Sequence, residues 1–193
     1  MVKQGRLFLL LMVLVLLGIS LTACIGGIWT GANMVYDRHD VYKKLNDYHL
    51  MVETTNALFV DKKFKSPGCV TDIAVFNGDV LVVGHVPSFE MLEEAKKRLA
   101  TVDGYRRIFN FLIVKNLPDN TTQDTWITTK IRSHIFADAS IDPNAVKVLT
   151  TDRIVYLLGD VNREEAEKVI KIARNVSGVE RVVKMLKLLQ VVN

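Results

Sequence analysis

Apolar and polar positions alternate in three different ways along the chain. Residues Leu7 to Leu17 are an unbroken apolar run. The stretch IGGIWTGANMVYDRHDVYKKLN at 25–46 begins apolar and glycine-containing and then turns polar, with no helical or strand period. From Asp47 onward, segments of period 3.6 and period 2 succeed one another. Asp47 is placed to cap a helix reaching about Asp61, with Leu50 and Leu58 on one face. Strands are predicted near 70–76 and 79–86, joined at Asn77-Gly78, the dipeptide best suited to a tight hairpin. Ser88 caps a second helix carrying Leu92, Ala95, Leu99 and Val102 at helical spacing, and after Gly104 a strand runs from about Tyr105 to Val114.

The same order then returns. VFNGDVLVVGHV at 75–86 matches LTTDRIVYLLGDV at 149–161, with Gly84 falling on Gly159. LATVDGYRRIFNFLIV at 99–114 matches ARNVSGVERVVKMLKLL at 173–189, with Gly104 on Gly178. In the second copy Asp124 is placed to cap a helix to about Asp138, and strands are predicted near 145–150 and 153–161. Asn162 with Glu165 makes a capping-box start for a helix whose Ala166, Val169, Ile170, Ala173 and Val176 form a core stripe, and a last strand runs from Val179 to about Val191. Two modules follow, at 47–115 and 124–193, separated by a polar, proline-containing linker at 116–123. Each is expected to be an αββαβ unit of the α+β class, a three-stranded mixed sheet with two helices packed on one face.

The amino terminus changes the picture from a fold to a location. Lys3 and Arg6 precede the apolar run, Gly18 and Ser20 follow it, and Leu21-Thr22-Ala23 leads into Cys24. Basic, apolar and small residues in that order make a secretory signal, short for a membrane span. Leu-Thr-Ala-Cys resembles the lipobox of bacterial lipoproteins. That resemblance implies removal of residues 1–23, acylation of Cys24 and a lipidated tether at 24–46. Several acyl chains hold firmly, at about 0.8 kcal/mol per buried methylene. Ile25, rather than Asp, follows the cysteine, so the resemblance implies transfer to the outer membrane, facing the periplasm. The alternative is an ordinary signal or anchor helix that happens to contain a cysteine. Trp29 and Tyr36 either sit at the bilayer interface or pack on the folded part.

Loss of residues 1–23 removes Lys3 and Arg6 and takes the net charge from +4 to about +2, which argues against nucleic-acid binding. Acylated Cys24 leaves Cys69 without a thiol partner, so no internal disulfide is expected. His39, His49, His85 and His134 are scattered and show no metal-ligand spacing. His85, at a strand end, reads as a surface residue. Glu93-Glu94 and Glu164-Glu165 suit first turns of helices, where acidic side chains complement the dipole. With no phosphate loop and no nucleophile elbow, neither an enzyme nor a cofactor is expected.

The Leu/Val-x-x-Gly-x-Val strand end, the amphipathic helix and the Val-x-Gly turn before a valine-rich strand resemble the BON domain. Two such modules behind a lipobox, the second opening with DTWITTKIRS at 124–133, resemble dual-BON outer-membrane lipoproteins over the chain from about residue 37. The resemblance implies association with phospholipid and a part in envelope integrity.

The helix at 124–138 is where such a surface is expected. Ile127, Ile131 and Ile135 share the core arc, which turns Trp126 and Phe136 outward among Thr129, Arg132 and Ser133. In the repeat, His49 stands for Trp126 and Phe59 for Phe136, so Phe136 reads as structural and Trp126 as the asymmetric feature. Trp126 either enters an anionic phospholipid membrane beside Lys130 and Arg132 or packs on the first module. The candidate phospholipid-binding set is Trp126, Thr129, Lys130, Arg132 and Ser133. The alternative function is a protein-interaction module for an envelope-assembly or peptidoglycan-remodelling partner.

Overall fold

The structure, a computed structural model, describes residues 38–115 and 120–189. Residues 1–23, Cys24, Trp29 and Tyr36 lie outside the described residues. Module 1 runs α1 (Arg38–Leu58), a 3-10 turn (Lys63–Lys65), β1 (Val70–Phe76), β2 (Asp79–Val86), α2 (Phe89–Leu99) and β3 (Arg107–Val114). Module 2 repeats it as α3 (Thr121–Ala137), β4 (Val146–Thr151), β5 (Ile154–Val161), α4 (Arg163–Asn175) and β6 (Arg181–Leu188). The α+β class and the αββαβ order are as expected.

In each sheet the middle strand pairs antiparallel with the strand before it and parallel with the strand after the helix. The central strands are apolar at every second position on both sides. Val80, Val82 and Val86 meet Leu50, Leu58, Ala95 and Leu99, while Val155, Leu157 and Val161 meet Ile127, Ile131, Val169 and Ala173. The opposite faces form a third core. Phe76, Leu81 and Val83 pack with Tyr156, Leu158 and Met185, so the two helix-free sheet faces lie against each other and the helices form the outer layers. The glycines of the repeat mark a close backbone approach. A Cβ on Gly84 would stand 1.9 Å from the Val70 carbonyl oxygen, and one on Gly159 2.3 Å from that of Ala145.

Neither Asp47 nor Asp124 caps a helix, because both helices start earlier, at Arg38 and Thr121. Residues 38–46, expected in the tether, are therefore helical. The two aspartates instead hold the hairpin turns. Asn77 and Gly78 have φ of +47° and +79°, and Asp152 and Arg153 +52° and +63°, the conformation of a tight two-residue hairpin turn. The N–H groups of Asn77 and Gly78 donate to Asp47 at 2.7 and 2.8 Å, and those of Asp152 and Arg153 to Asp124 at 2.8 and 2.9 Å. Each carboxylate thus ties the first helix of its module to the turn of its sheet.

The predicted caps of the second helices are present. Met91 N–H donates to Ser88, and Asn162 and Glu165 exchange backbone-to-side-chain bonds at 2.9 and 3.0 Å. Asn162→Ala is expected to cost about 1 kcal/mol, read as a lower midpoint in thermal unfolding.

His85 is not a surface residue. It is fully buried because it lies on the Leu81–Val83 side of β2, which the second sheet covers, and its Nδ1 is 2.7 Å from Asp152 Oδ2. At the other end of β2, buried Asp79 accepts from Arg106 and Arg107. Burial pushes the Asp79 carboxyl up, and the two guanidinium groups outweigh it, holding it below the usual carboxylate range. Cys69 is half-buried beside Ser66, its Sγ 3.5 Å from the hydroxyl.

Candidate functional site

The site is built on α3, whose isoleucines decide what it can present. Ile127, Ile131 and Ile135 recur every four residues and are at most 3 % exposed, so the helix has one fixed face on the sheet and the residues between them must point outward. They do so along two flanks. On the flank beside α4, Trp126, Lys130 and His134 succeed one another at four-residue steps and line a cleft of about 410 Å³ with Ile172, Asn175, Val176 and Ser177. Trp126 is 49 % exposed, and the Lys130 ammonium lies 5.7 Å from its ring centroid. An ammonium over an indole face is held by the ring quadrupole without losing its access to an anion.

On the other flank, Thr129, Arg132, Ser133 and Phe136 line a cleft of about 600 Å³ with Pro143, Asn144, Val146 and Val148. The hydroxyls of Thr129 and Ser133 donate to the carbonyls of Thr125 and Thr129, both at 2.8 Å. The five predicted residues therefore fall into two groups. Trp126 stays with Lys130, and Arg132 with Thr129 and Ser133, so α3 is a ridge between two clefts.

Phe136 corrects the reading taken from the repeat. Its counterpart Phe59 packs on the module 1 core under Lys65, whereas Phe136 is 80 % exposed. The helical wheel had already placed it outside, and the wheel was the better guide, because packing depends on the neighbouring loop and not on residue identity. Trp126 lines its cleft with residues of module 2, on the helix face of the sheet rather than the face that meets module 1.

A basic area went unnoticed in the sequence. Lys171, Arg174 and Lys184 line, with Glu167, a further cleft that shares Asn175 with the Trp126 cleft. The signal was present in α4, where Lys171 and Arg174 stand three residues apart on the polar side of the helix. Lys184 comes from β6 and joins them only through the sheet. Among the described residues no three His, Cys, Asp or Glu side chains gather as a metal site, and no helix is long and apolar enough to cross a membrane.

The BON domain pattern matches residues 71–116 and 123–190, spans that each take in the hairpin, the crossing helix and the last strand. The chain belongs to the BON-domain family. Over 186 residues, 95% of this chain and 96% of the relative, it is 31% identical to the outer membrane lipoprotein DolP of Haemophilus influenzae. It is 32% identical over 121 residues to a 21 kDa hemolysin of Actinobacillus pleuropneumoniae, covering 62% of each chain. It is 32% identical over 124 residues to the osmotically-inducible protein Y of Escherichia coli, covering 61% of this chain and 62% of that one. The near-full-length likeness makes this BON protein an outer-membrane, lipid-anchored lipoprotein, and the ridge on α3 belongs to its second BON module.

Proposed function

We propose that this lipoprotein binds anionic phospholipid through α3 and supports outer-membrane integrity from the periplasmic face. The observation that carries the reading is the ridge itself. Trp126 and Phe136, 49 % and 80 % exposed, stand on a rigid helix with Lys130 and Arg132 beside them. An indole at a bilayer interface gains from partial burial, and each nearby cation adds about 1 kcal/mol toward an anionic surface. Lys171, Arg174 and Lys184 extend the basic area around the Trp126 cleft.

In this reading residues 1–23 are the signal peptide and Cys24 carries the acyl chains, which hold the protein to the membrane irrespective of its composition. The ridge is a second, weaker contact that reads headgroup charge and packing. Several acyl chains suffice to anchor, so the ridge adds selectivity to an attachment that is already stable. The role is one of binding, with no catalytic step.

Trp126→Glu in a form lacking the acyl chains is expected to weaken co-sedimentation with phosphatidylglycerol vesicles by about tenfold or more, since removing roughly 1.4 kcal/mol of interfacial contact is one decade. Binding to zwitterionic vesicles should be weak with or without the substitution. Undiminished binding of the variant would overturn the lipid reading. No vesicle binding at all, with recovery of a stoichiometric envelope-assembly or peptidoglycan-remodelling protein, would favour a protein-docking role.

A further inference from the structure

The face between the two sheets is made of equivalent positions of the repeat. Asn77 corresponds to Asp152, His85 to Asp160, Leu81 to Tyr156 and Val83 to Leu158, as Gly84 does to Gly159. Asn77 Nδ2 donates to Asp160 Oδ2 at 3.0 Å, and His85 Nδ1 lies 2.7 Å from Asp152 Oδ2. Exchanging the modules turns each contact into the other: at both ends, the hairpin residue of one module meets the strand-end residue of its neighbour. That reciprocity is the mark of a two-fold interface between identical subunits, here closed within a single chain.

A face of this kind has other ways to pair. Two copies of the protein could place module 1 on module 1, or module 2 on module 2. The strand positions that pack there stay apolar in both modules, though they differ in size, Leu81 against Tyr156 and Val83 against Leu158, and Phe76 has Thr151 as its counterpart. The polar residues differ. We infer that Asn77, His85, Asp152 and Asp160 select the pairing of module 1 with module 2, and that they reject a second copy's module 2 as a partner for module 2.

The selection follows from what each carboxylate meets. In the observed pairing Asp152 has His85, and Asp160 has Asn77 with Arg106 at 3.6 Å. With module 2 against module 2, Asp152 would oppose Asp160 at both ends. Asp160 would also meet Glu180, which occupies the Arg106 position of the repeat. The sites are little exposed: the side chain of Asp152 is 6% exposed and that of Asp160 16%. Two carboxylates brought together there would be poorly hydrated, with only Arg181, in the place of Arg107, near them, and like charges in low dielectric repel strongly. With module 1 against module 1, Asn77 would oppose His85, which raises no such conflict. The exclusion is therefore one-sided and resides in module 2.

The test uses the full chain and reads opening of the face by nitration of Tyr156, which is 5% exposed there, with Tyr48, 67% exposed, as the control for reagent. His85→Asp recreates, at one end of the intact chain, the contact that module 2 would make with itself. It is expected to raise Tyr156 nitration by on the order of tenfold or more, since an opposed buried charge populates the open form. Asp160→His recreates at the other end the contact of module 1 with itself, and is expected to leave Tyr156 as protected as in the unsubstituted chain. The reversed pair, His85→Asp with Asp152→His, should restore protection, which a chain that had merely failed to fold would not do. Tyr156 staying protected in His85→Asp would overturn the inference. So would a reversed pair as open as the single variant, or Asp160→His as open as His85→Asp.

Discussion

Gly84→Ala is expected to destabilise module 1 by roughly 4 kcal/mol. Two costs combine. The backbone at Gly84 has φ of +128°, a region essentially closed to other residues, at about 1–3 kcal/mol. The added Cβ would lie 1.9 Å from the Val70 carbonyl oxygen and 2.8 Å from its carbon. Those atoms are backbone, held by the β1–β2 ladder in which Thr71 pairs with Gly84, so relief requires the ladder to part. Gly104→Ala is the matched control: φ is +75° and nothing lies within 4 Å of the new Cβ, leaving only left-handed strain of about 1 kcal/mol. Urea denaturation of both variants reads the difference, and equal midpoints would show that close approach is not why glycine stands at 84.

The second large effect is expected at Asp124. Asp124→Ala removes the acceptor of two backbone N–H groups at 2.8 and 2.9 Å, one of them on buried Asp152. Bonds to a charged acceptor contribute more than neutral ones, and a buried donor left unpaired costs a further 1–3 kcal/mol or so. The loss should reach about 3 kcal/mol, with module 2 the part that unfolds first in hydrogen exchange. Asp124→Asn keeps one oxygen acceptor and should lose about half as much. Asp47→Ala is the same experiment in module 1. Its carboxylate is half-buried, so water can replace part of the bond and the loss is smaller. A loss at Asp47 larger than at Asp124 would contradict this account of the two turns.

The two aspartates show where sequence and structure part. An Asp ahead of an apolar helical pattern reads as a cap, because capping is the common local use of that residue. α3 begins earlier on the polar turn Thr121-Thr122-Gln123, and α1 begins earlier on turns whose Tyr42 and Leu45 stay exposed, while the carboxylates are taken by turns 30 and 28 residues away. The first hairpin was legible, since Asn77-Gly78 announces a turn; the second was placed one residue early, in the gap 151–152 between the predicted strands, because Asp152-Arg153 is a pair that does not announce itself. The fold, the repeat and the family were legible for the same reason, since they rest on periods of 2 and 3.6 and on glycines at fixed offsets.

His85 and the α3 ridge make the same division. Alternation in VLVVGHV states that Leu81, Val83 and His85 share one side of β2. It does not state that another sheet will cover that side, and the covering sheet is what buries His85 against Asp152. On α3 the isoleucine stripe was enough to turn Trp126 and Phe136 outward. Which neighbours join them depended on α4 and on the loop before β4, which divide the outward residues between two clefts.

Local order, the number of modules and the buried side of each helix were thus written along the chain, because backbone periodicity acts within a few residues. How the sheets meet, which charges face one another and what surrounds Trp126 came only with the tertiary structure, because those contacts join residues dozens of positions apart whose pairing no local period records.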